Sequence, residues 1–114
     1  MTESRTTPRA PAHLQEETRR WWRQVMADYV LESHHIKLLT AAAEAWDRLQ
    51  QAREAIDREG ITIPTGGGGL KAHPAVAIER DSRLAYARLL RELDLDAAPA
   101  PSGKRPPSLP GYRR

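Results

Sequence analysis

The chain has 114 residues, with 18 lysines and arginines against 15 aspartates and glutamates, so its formal net charge is +3. This length suits a single domain, and the absence of cysteine excludes disulfide bonds, thiolate zinc sites and cysteine nucleophiles. No apolar run approaches the roughly 18 residues of a membrane span, and the polar N-terminus lacks the apolar stretch of a secretory signal. We therefore expect a cytoplasmic protein with no membrane partner.

The two ends of the chain differ in composition from the middle. Residues 1–13 are rich in threonine, proline and arginine, and residues 97–114 hold five of the nine prolines. Such segments bury too little apolar surface to offset chain entropy. We predict disordered tails at 1–13 and 97–114 around a helical core domain at 14–96. The C-terminal tail has no acid and is strongly basic, through Lys104, Arg105, Arg113 and Arg114.

The first predicted helix runs from about residue 14 to residue 31. Trp21, Val25 and Tyr29 follow one line at i+4 spacing, and Trp22 starts the adjacent line, so the helix has a broad apolar face. The other side carries three basic residues: Arg19, Arg20 and Arg23.

A longer helix is predicted from about residue 34 to residue 59, with Ser33 as its N-cap and Gly60 just beyond its end. Its apolar residues recur at alternating steps of three and four, which is a heptad seam interrupted once, at Arg53. The seam residues are Leu39, Ala42, Trp46, Leu49 and Ile56.

Two short β-prone stretches then flank four glycines at 66–69, which predicts a small β-hairpin or an extended excursion. Pro74 begins a third helix after the cap residue His73, and this helix runs to about Leu93. The fold class expected is mainly α: a helical hairpin plus a third helix, with a short β-hairpin between helices 2 and 3.

The sequence offers little support for catalysis or metal binding. The adjacent pair His34 and His35 points in directions roughly 100° apart on a helix, whereas helical ligand pairs need i,i+3 or i,i+4 spacing. The glycine run lacks the lysine and hydroxyl spacing of a phosphate loop. Paired carboxylates occur only at helix-surface positions. We therefore predict a non-enzyme with no catalytic, cofactor-binding or metal-binding residues.

Self-association is expected because the first two helices carry apolar residues on more than one line. A core of about 80 residues without disulfides or metal supplies only about 3–5 kcal/mol. A two-helix hairpin covers part of that apolar surface, and a second copy would cover the remainder; the alternative is that the third helix and the hairpin cover all of it. The predicted oligomer interface consists of Trp21, Trp22, Val25, Leu39, Ala42, Trp46 and Leu49.

Several segments together resemble a known family. Trp21-Trp22 precedes His34-His35, a long helix ends in Arg58-Glu59-Gly60, and the later chain has the pattern K-x-H-P-A, R-L and L-L-x-x-L at 71–75, 83–84 and 89–93. This arrangement is similar to the small terminase subunits of tailed phages over about residues 14–96. Members usually have a glycine after the last leucines, where this chain has Asp94.

The resemblance implies a role in packaging viral DNA. Small terminases form homo-oligomeric rings, recognise double-stranded viral DNA in the host cytoplasm and recruit the large subunit, which holds the ATPase and nuclease. By charge alone, we expect DNA contacts from Arg19, Arg20, Arg23 and Lys37 and from the four basic residues of the C-terminal tail, which alternatively docks the large subunit. The competing interpretation is a helical adaptor or antitoxin-like protein that binds another protein and no DNA.

Overall fold

The computed structural model describes residues 8–95. They form three helices and one β-hairpin in the order α1 (Glu16–Asp28), α2 (Ser33–Glu59), β1 (Thr62–Pro64), β2 (Leu70–Ala72) and α3 (Pro74–Leu93). This confirms the mainly helical class and the hairpin between the second and third helices. No helix in the described range is long and apolar enough to cross a membrane. The segments 1–7 and 97–114, predicted to be disordered, lie outside the described residues.

Packed structure begins before residue 14, where we expected the domain to start. Ala10 packs against the core cluster, and the backbone N–H of Leu14 donates to the carbonyl of Pro11 over 3.3 Å, which closes a turn. His13 Nε2 lies 2.8 Å from a carboxylate oxygen of Glu44 on α2. The prolines that suggested a tail therefore belong, in part, to a turn that leads into α1.

Helix α1 is shorter than predicted, because it ends at Asp28 rather than near Leu31. Tyr29 is extended, with φ −133° and ψ 152°. Val30 continues the apolar i+4 line in sequence but is 78% exposed, whereas Leu31 packs against the core. Ending the helix here lets the chain reverse and places Leu31, rather than Val30, on the apolar side.

The N-cap of α2 is Glu32, so the prediction of Ser33 was wrong. The Glu32 side chain accepts from the backbone N–H of His35, and His35 Nδ1 accepts from the backbone N–H of Glu32 over 3.1 Å. This reciprocal pair is a capping box in which a histidine takes the usual Glu or Gln position. It satisfies two amide groups where Ser33 as a cap would satisfy one.

Helices α2 and α3 form the most extensive helix pair in the described chain, whereas we expected the first two helices to form the main hairpin. Two facing pairs, seven residues apart along both helices, indicate an antiparallel seam: Arg53 with Glu79 and Trp46 with Tyr86. Leu39 and Leu93, a further seven residues along each helix, belong to the same buried cluster. Arg53, which interrupts the apolar heptad, meets Glu79 of α3 at 3.3 Å. The interruption is therefore matched by a charged partner on the facing helix.

Helix α1 runs antiparallel along the first half of α2. The hydroxyl of Thr18 donates to the carboxylate of Asp47 over 2.5 Å, and one α1 turn later the indole N–H of Trp22 donates to the hydroxyl of Thr40 over 3.2 Å. Trp22 is among the largest fully buried side chains, and burying a side chain of this size contributes several kcal/mol. The main core cluster lies at this end of the molecule, and its buried members are Leu14, Trp22, Val25, Leu39, Ala43 and Leu93.

The β-hairpin joins α2 to α3 at the other end of α2. Thr62 pairs with Ala72 and Pro64 with Leu70 in an antiparallel register, and the N–H of His73 donates to the carbonyl of Ile61 over 2.8 Å. Gly60 has φ +86° and ψ 169°, a region that is open essentially to glycine alone. This glycine therefore permits the abrupt exit from α2 into the first strand.

Both ends of α3 are capped by specific residues. His73 Nδ1 accepts from the N–H of Ala75 over 2.9 Å, and Pro74 occupies the first turn, as predicted. Asp94 ends the helix in the left-handed conformation, with φ 52° and ψ 60°. Glycine commonly fills that position at helix ends, so Asp94 adopts the backbone conformation usual for glycine there.

Candidate nucleic-acid and assembly surfaces

Arg19 is tied into the fold and is the least available of the predicted DNA-binding residues in α1. One guanidinium nitrogen donates to the carbonyl of Leu14 over 2.5 Å and to that of Ala12 over 3.2 Å, and another donates to Glu16 over 2.5 Å. Its side chain is 29% exposed. These bonds hold the turn before α1 against the helix, which is a structural role.

Arg20, Arg23 and Lys37 lie on the exposed surface. The Arg20 side chain is 68% exposed and reaches Glu16 only at 3.7 Å, a separation that contributes little to stability. Arg23, one turn further along α1, and Lys37 on α2 form no ion pair among residues 8–95. Arg20 and Arg23 share one face because they are three residues apart. These three cations are therefore accessible to a polyanion.

The basic residues of α3 fall into two groups. Arg83 donates to Glu79 over 2.9 Å, and Arg80 lies 3.3 Å from Asp81. Arg88 and Arg91 are exposed and form no ion pair within the described range, so they too are accessible. The predicted contacts Lys104, Arg105, Arg113 and Arg114 lie outside the described residues.

Most of the predicted oligomer interface lies inside the subunit. Five of its seven residues are at most 5% exposed: Trp22, Val25, Leu39, Ala42 and Leu49. They contact the other helices of the same chain, so they are core residues in this conformation. Trp21 and Trp46 are partly exposed. Only these two predicted interface residues therefore keep surface for an external contact.

Exposed large apolar side chains occur instead on the hairpin, on α3 and in the turn after α1. Ile61, just before β1, is 63% exposed, and Leu70, the first residue of β2, is 70% exposed. Ile78 and Leu84 of α3 and Val30 are the others among residues 8–95. Sequence reasoning placed the excess apolar surface on the first two helices, whereas the structure places most of it on the second half of the chain.

A cavity of about 210 Å³ lies where the three helices meet, lined by Glu17, Thr18, Trp21, Trp46 and Tyr86. The ring centroids of Trp46 and Tyr86 are 5.0 Å apart, and those of Trp21 and Tyr86 are 6.3 Å apart. Partial burial raises the pKa of the Tyr86 hydroxyl above its ordinary value. Three aromatic rings thus surround an opening beside one carboxylate.

The family of the chain is shown by comparison with known proteins. The model for the phage terminase small subunit matches residues 15–100, which include all three helices and the hairpin. The chain is a phage terminase small subunit. No curated protein matches it, and no solved structure does.

Membership of the terminase small-subunit family gives the chain a role in phage DNA packaging and favours that interpretation over the adaptor or antitoxin-like alternative. The family is generally the non-catalytic subunit of the packaging machinery. In the described part of this terminase subunit, no group of three or more histidine, aspartate or glutamate side chains could hold a metal ion. The adjacent His34 and His35 rings are 4.1 Å apart, and His35 serves as a cap.

Two members of the aromatic cavity of this terminase subunit were not recognised as a site from sequence. Glu17 is one of the paired helix-surface carboxylates set aside above, and Tyr86 lies on the third predicted helix, to which no site was assigned. The i+4 spacing of Glu17 and Trp21 was a usable local signal. Their approach to Trp46 and Tyr86 depends on how three helices pack, which local spacing does not specify.

Proposed function

We propose that this terminase small subunit binds double-stranded viral DNA and recruits the large ATPase–nuclease subunit in the cytoplasm of the infected host. The observation that carries the proposal is the family match over residues 15–100. In this proposal the chain performs no chemistry, so ATP hydrolysis and DNA cleavage belong to the large subunit.

The proposed DNA contact is electrostatic. Arg20, Arg23 and Lys37 support it because they are exposed and not held by strong ion pairs within the described chain. Contacts of this kind bind phosphates and release counterions, so their strength falls steeply with salt. A ring of copies would multiply several weak contacts into useful avidity, and DNA bending would supply sequence preference without base-edge contacts.

The proposed assembly of copies uses the exposed apolar residues of the hairpin and α3. Ile61 and Leu70 are the most exposed of these in the hairpin, and a two-stranded hairpin is marginal by itself. Contact with a neighbouring subunit would remove both side chains from water. Ile61→Ser together with Leu70→Ser is therefore expected to shift the oligomer towards smaller species in native mass spectrometry. Unchanged assembly in a folded variant would exclude the hairpin from the interface.

The DNA-binding proposal is tested by measuring affinity for duplex DNA between about 50 and 200 mM salt. The slope of log affinity against log salt falls by about 0.9 for each phosphate contact removed. We expect Arg20→Ala with Arg23→Ala to weaken binding and reduce the slope. The matched control is Arg58→Ala with Arg83→Ala, since both of these arginines are already ion-paired. Affinity that does not change with salt would contradict the proposal.

Recruitment of the large subunit is tested separately, by binding of the purified large subunit to the full chain immobilised through its N-terminus. Charge reversal of Lys104, Arg105, Arg113 and Arg114 distinguishes the two predicted roles of the C-terminal segment. A loss of large-subunit binding with DNA affinity retained assigns the segment to the large subunit, and the opposite pattern assigns it to DNA.

A further inference from the structure

The aromatic cavity between the helices has the chemistry of a site for a cation. Trp21, Trp46 and Tyr86 line an opening of about 210 Å³ together with Glu17. Aromatic ring faces attract ammonium and guanidinium groups. The Glu17 carboxylate is exposed and forms no ion pair within residues 8–95. One unneutralised acid beside three rings therefore favours a positively charged side chain as the ligand.

A wider depression adjoins the aromatic cavity and extends its acidic character. It has a volume of about 420 Å³ and shares Glu17, Thr18 and Trp46 with the cavity. It is lined further by Glu16, Asp47, Glu54 and glutamine side chains. The combined surface is a groove that is aromatic at one end and acidic or amide-rich at the other, so it suits an extended basic segment better than a single small ion.

The C-terminal segment of the same chain carries the complementary chemistry. Residues 104–110 read Lys-Arg-Pro-Pro-Ser-Leu-Pro and contain no acid. Proline-rich segments with the spacing P-x-x-P dock on grooves lined by aromatic side chains, because the fixed φ of proline reduces the entropy lost on binding. Pro107 and Pro110 have this spacing, and Arg105 precedes them.

The segment is long enough to reach the groove of its own subunit. Tyr86 lies eight residues before Asp94, the residue that ends α3, which is a distance of about 12 Å along a helix. From Asp94 to Arg105 there are 11 residues, which span about 34 Å in a polyproline conformation. The chain can therefore leave α3, turn back and place Arg105 at the rings.

We propose that residues 104–110 bind the groove formed by Glu17, Trp21, Trp46 and Tyr86 of the same subunit, with Arg105 against the rings and Pro107 and Pro110 along the groove. Bound in this way, the basic segment is withheld from other partners. A consequence that rests on the proposed DNA binding is that duplex DNA competes with the groove for Lys104 and Arg105.

The docking is tested on the full chain by the three indole N–H signals in a proton–nitrogen NMR spectrum. The variant carries Arg105→Glu, Pro107→Ala and Pro110→Ala. We expect the Trp21 and Trp46 signals to move, while Trp22 serves as an internal reference because its buried indole donates to Thr40. The matched control, Arg113→Glu with Arg114→Glu, changes charge beyond the proline motif and should leave all three signals in place. Unmoved Trp21 and Trp46 signals in the first variant overturn the proposal.

The groove side is tested by titrating a synthetic peptide of residues 102–112 into that full-chain tail variant. Binding should weaken by up to about fivefold when Glu17→Gln is added, since an exposed ion pair contributes roughly 0.2–1 kcal/mol. Asp57→Asn is the control, because it changes an exposed acid on α2 that does not line the groove. If the peptide does not bind, or if its affinity is the same with and without Glu17→Gln, the proposed site is wrong.

A mixing experiment separates docking within a subunit from docking between subunits. Labelled tail variant is combined with unlabelled wild-type chain. Docking within the subunit leaves the labelled indole signals at their variant positions. Movement of the signals to the wild-type positions overturns the assignment to the same subunit. These readouts involve no DNA, so they fail or succeed independently of the proposed packaging role.

Discussion

The carboxylate of Asp47 in α2 accepts a hydrogen bond of 2.5 Å from the hydroxyl of Thr18 in α1. Its other oxygen accepts from the backbone N–H of Gln15 over 2.8 Å. Gln15 is the N-cap residue of α1 and makes no side-chain cap bond of its own. Asp47, from the facing helix, therefore caps the N-terminus of α1 by accepting these hydrogen bonds. The helix dipole also favours a negative charge at this position.

Replacing Asp47 by alanine should destabilise the fold by about 1–3 kcal/mol, because the buried Thr18 hydroxyl and the Gln15 N–H both lose their acceptor. Urea unfolding followed by far-UV circular dichroism measures this. Asp57→Ala, at an exposed position of the same helix, is the control and should change stability by less than about 0.5 kcal/mol. Equal effects from the two substitutions would contradict the role assigned to Asp47.

Gly60→Ala should cost about 1–3 kcal/mol. The backbone at Gly60 occupies a region that side chains rarely tolerate, although an added Cβ would meet only the carbonyl of Thr62, at 4.0 Å. The destabilisation therefore comes from the backbone dihedral angles at this position and not from a steric clash of the added Cβ. Gly67→Ala, at a position with nothing within 4 Å of an added Cβ, should be neutral or slightly stabilising. Thermal unfolding of the two variants side by side tests the difference.

Asp94→Gly should stabilise the protein by roughly 1 kcal/mol, because a residue with a Cβ is strained in the left-handed conformation at a helix end. The positive φ of 52° at Asp94 motivates the substitution. Asp81→Gly within α3 is the contrasting variant and should destabilise by about 0.5–1 kcal/mol. A lower melting temperature for Asp94→Gly would show that the aspartate side chain itself stabilises the helix end.

Glu79 should contribute a pH-dependent part of the stability of the α2–α3 seam. Burial alone would raise the pKa of Glu79, but hydrogen bonds from Arg83 and Arg53 outweigh it, so the pKa lies below the ordinary 4.5. A carboxylate with a lowered folded-state pKa stabilises the fold above its unfolded-state pKa, and this contribution is lost as pH falls through the folded-state value.

We therefore expect Glu79→Gln to lose less stability than the wild type between about pH 6 and pH 3. Urea midpoints across this range provide the measurement. Glu54→Gln, at an exposed α2 position, should retain the wild-type dependence on pH. If the stability of Glu79→Gln falls more steeply with decreasing pH than that of the wild type, this explanation is excluded.

Arg19 and Arg23 should separate stability from nucleic-acid binding. Arg19→Ala removes bonds to two carbonyl groups and to Glu16, so it should lower the unfolding free energy by about 1 kcal/mol. Arg23→Ala removes no ion pair within residues 8–95 and should leave the unfolding free energy within about 0.5 kcal/mol, while it weakens duplex DNA binding. The reverse pattern would show that the exposed α1 face is not the DNA contact.

Several features that depend on local spacing were predicted, although the N-cap of α2 was placed at Ser33 instead of Glu32. The heptad steps of α2, Gly60 after its end, and His73 with Pro74 at the start of α3 each depend on residues that are close together in the sequence. The end of α1 was not predicted because Val30 and Leu31 continue the apolar spacing of the helix in the sequence. In the structure the chain leaves the helix at Tyr29 and reverses direction.

Features that depend on distant partners were not predictable from spacing. Arg53 appeared as a defect in an apolar seam, and only the packing of α3 supplies Glu79 opposite it. The burial of Leu49 and Ala42 inside the subunit was not predictable for the same reason: the apolar pattern of a helix is the same whether its own chain or another copy covers it. The site formed by Glu17, Trp21, Trp46 and Tyr86 likewise requires three helices to converge.

Helix α2 has 27 residues, which corresponds to a rod of about 40 Å. Helix α1 lies along its first half, and the hairpin follows its last residue. The hairpin and the basic surface of α1 therefore lie towards opposite ends of α2. In the proposed assembly a neighbouring subunit contacts one end of α2 and DNA contacts the other. Lengthening the hairpin is therefore expected to change the subunit contact without changing the basic surface of α1.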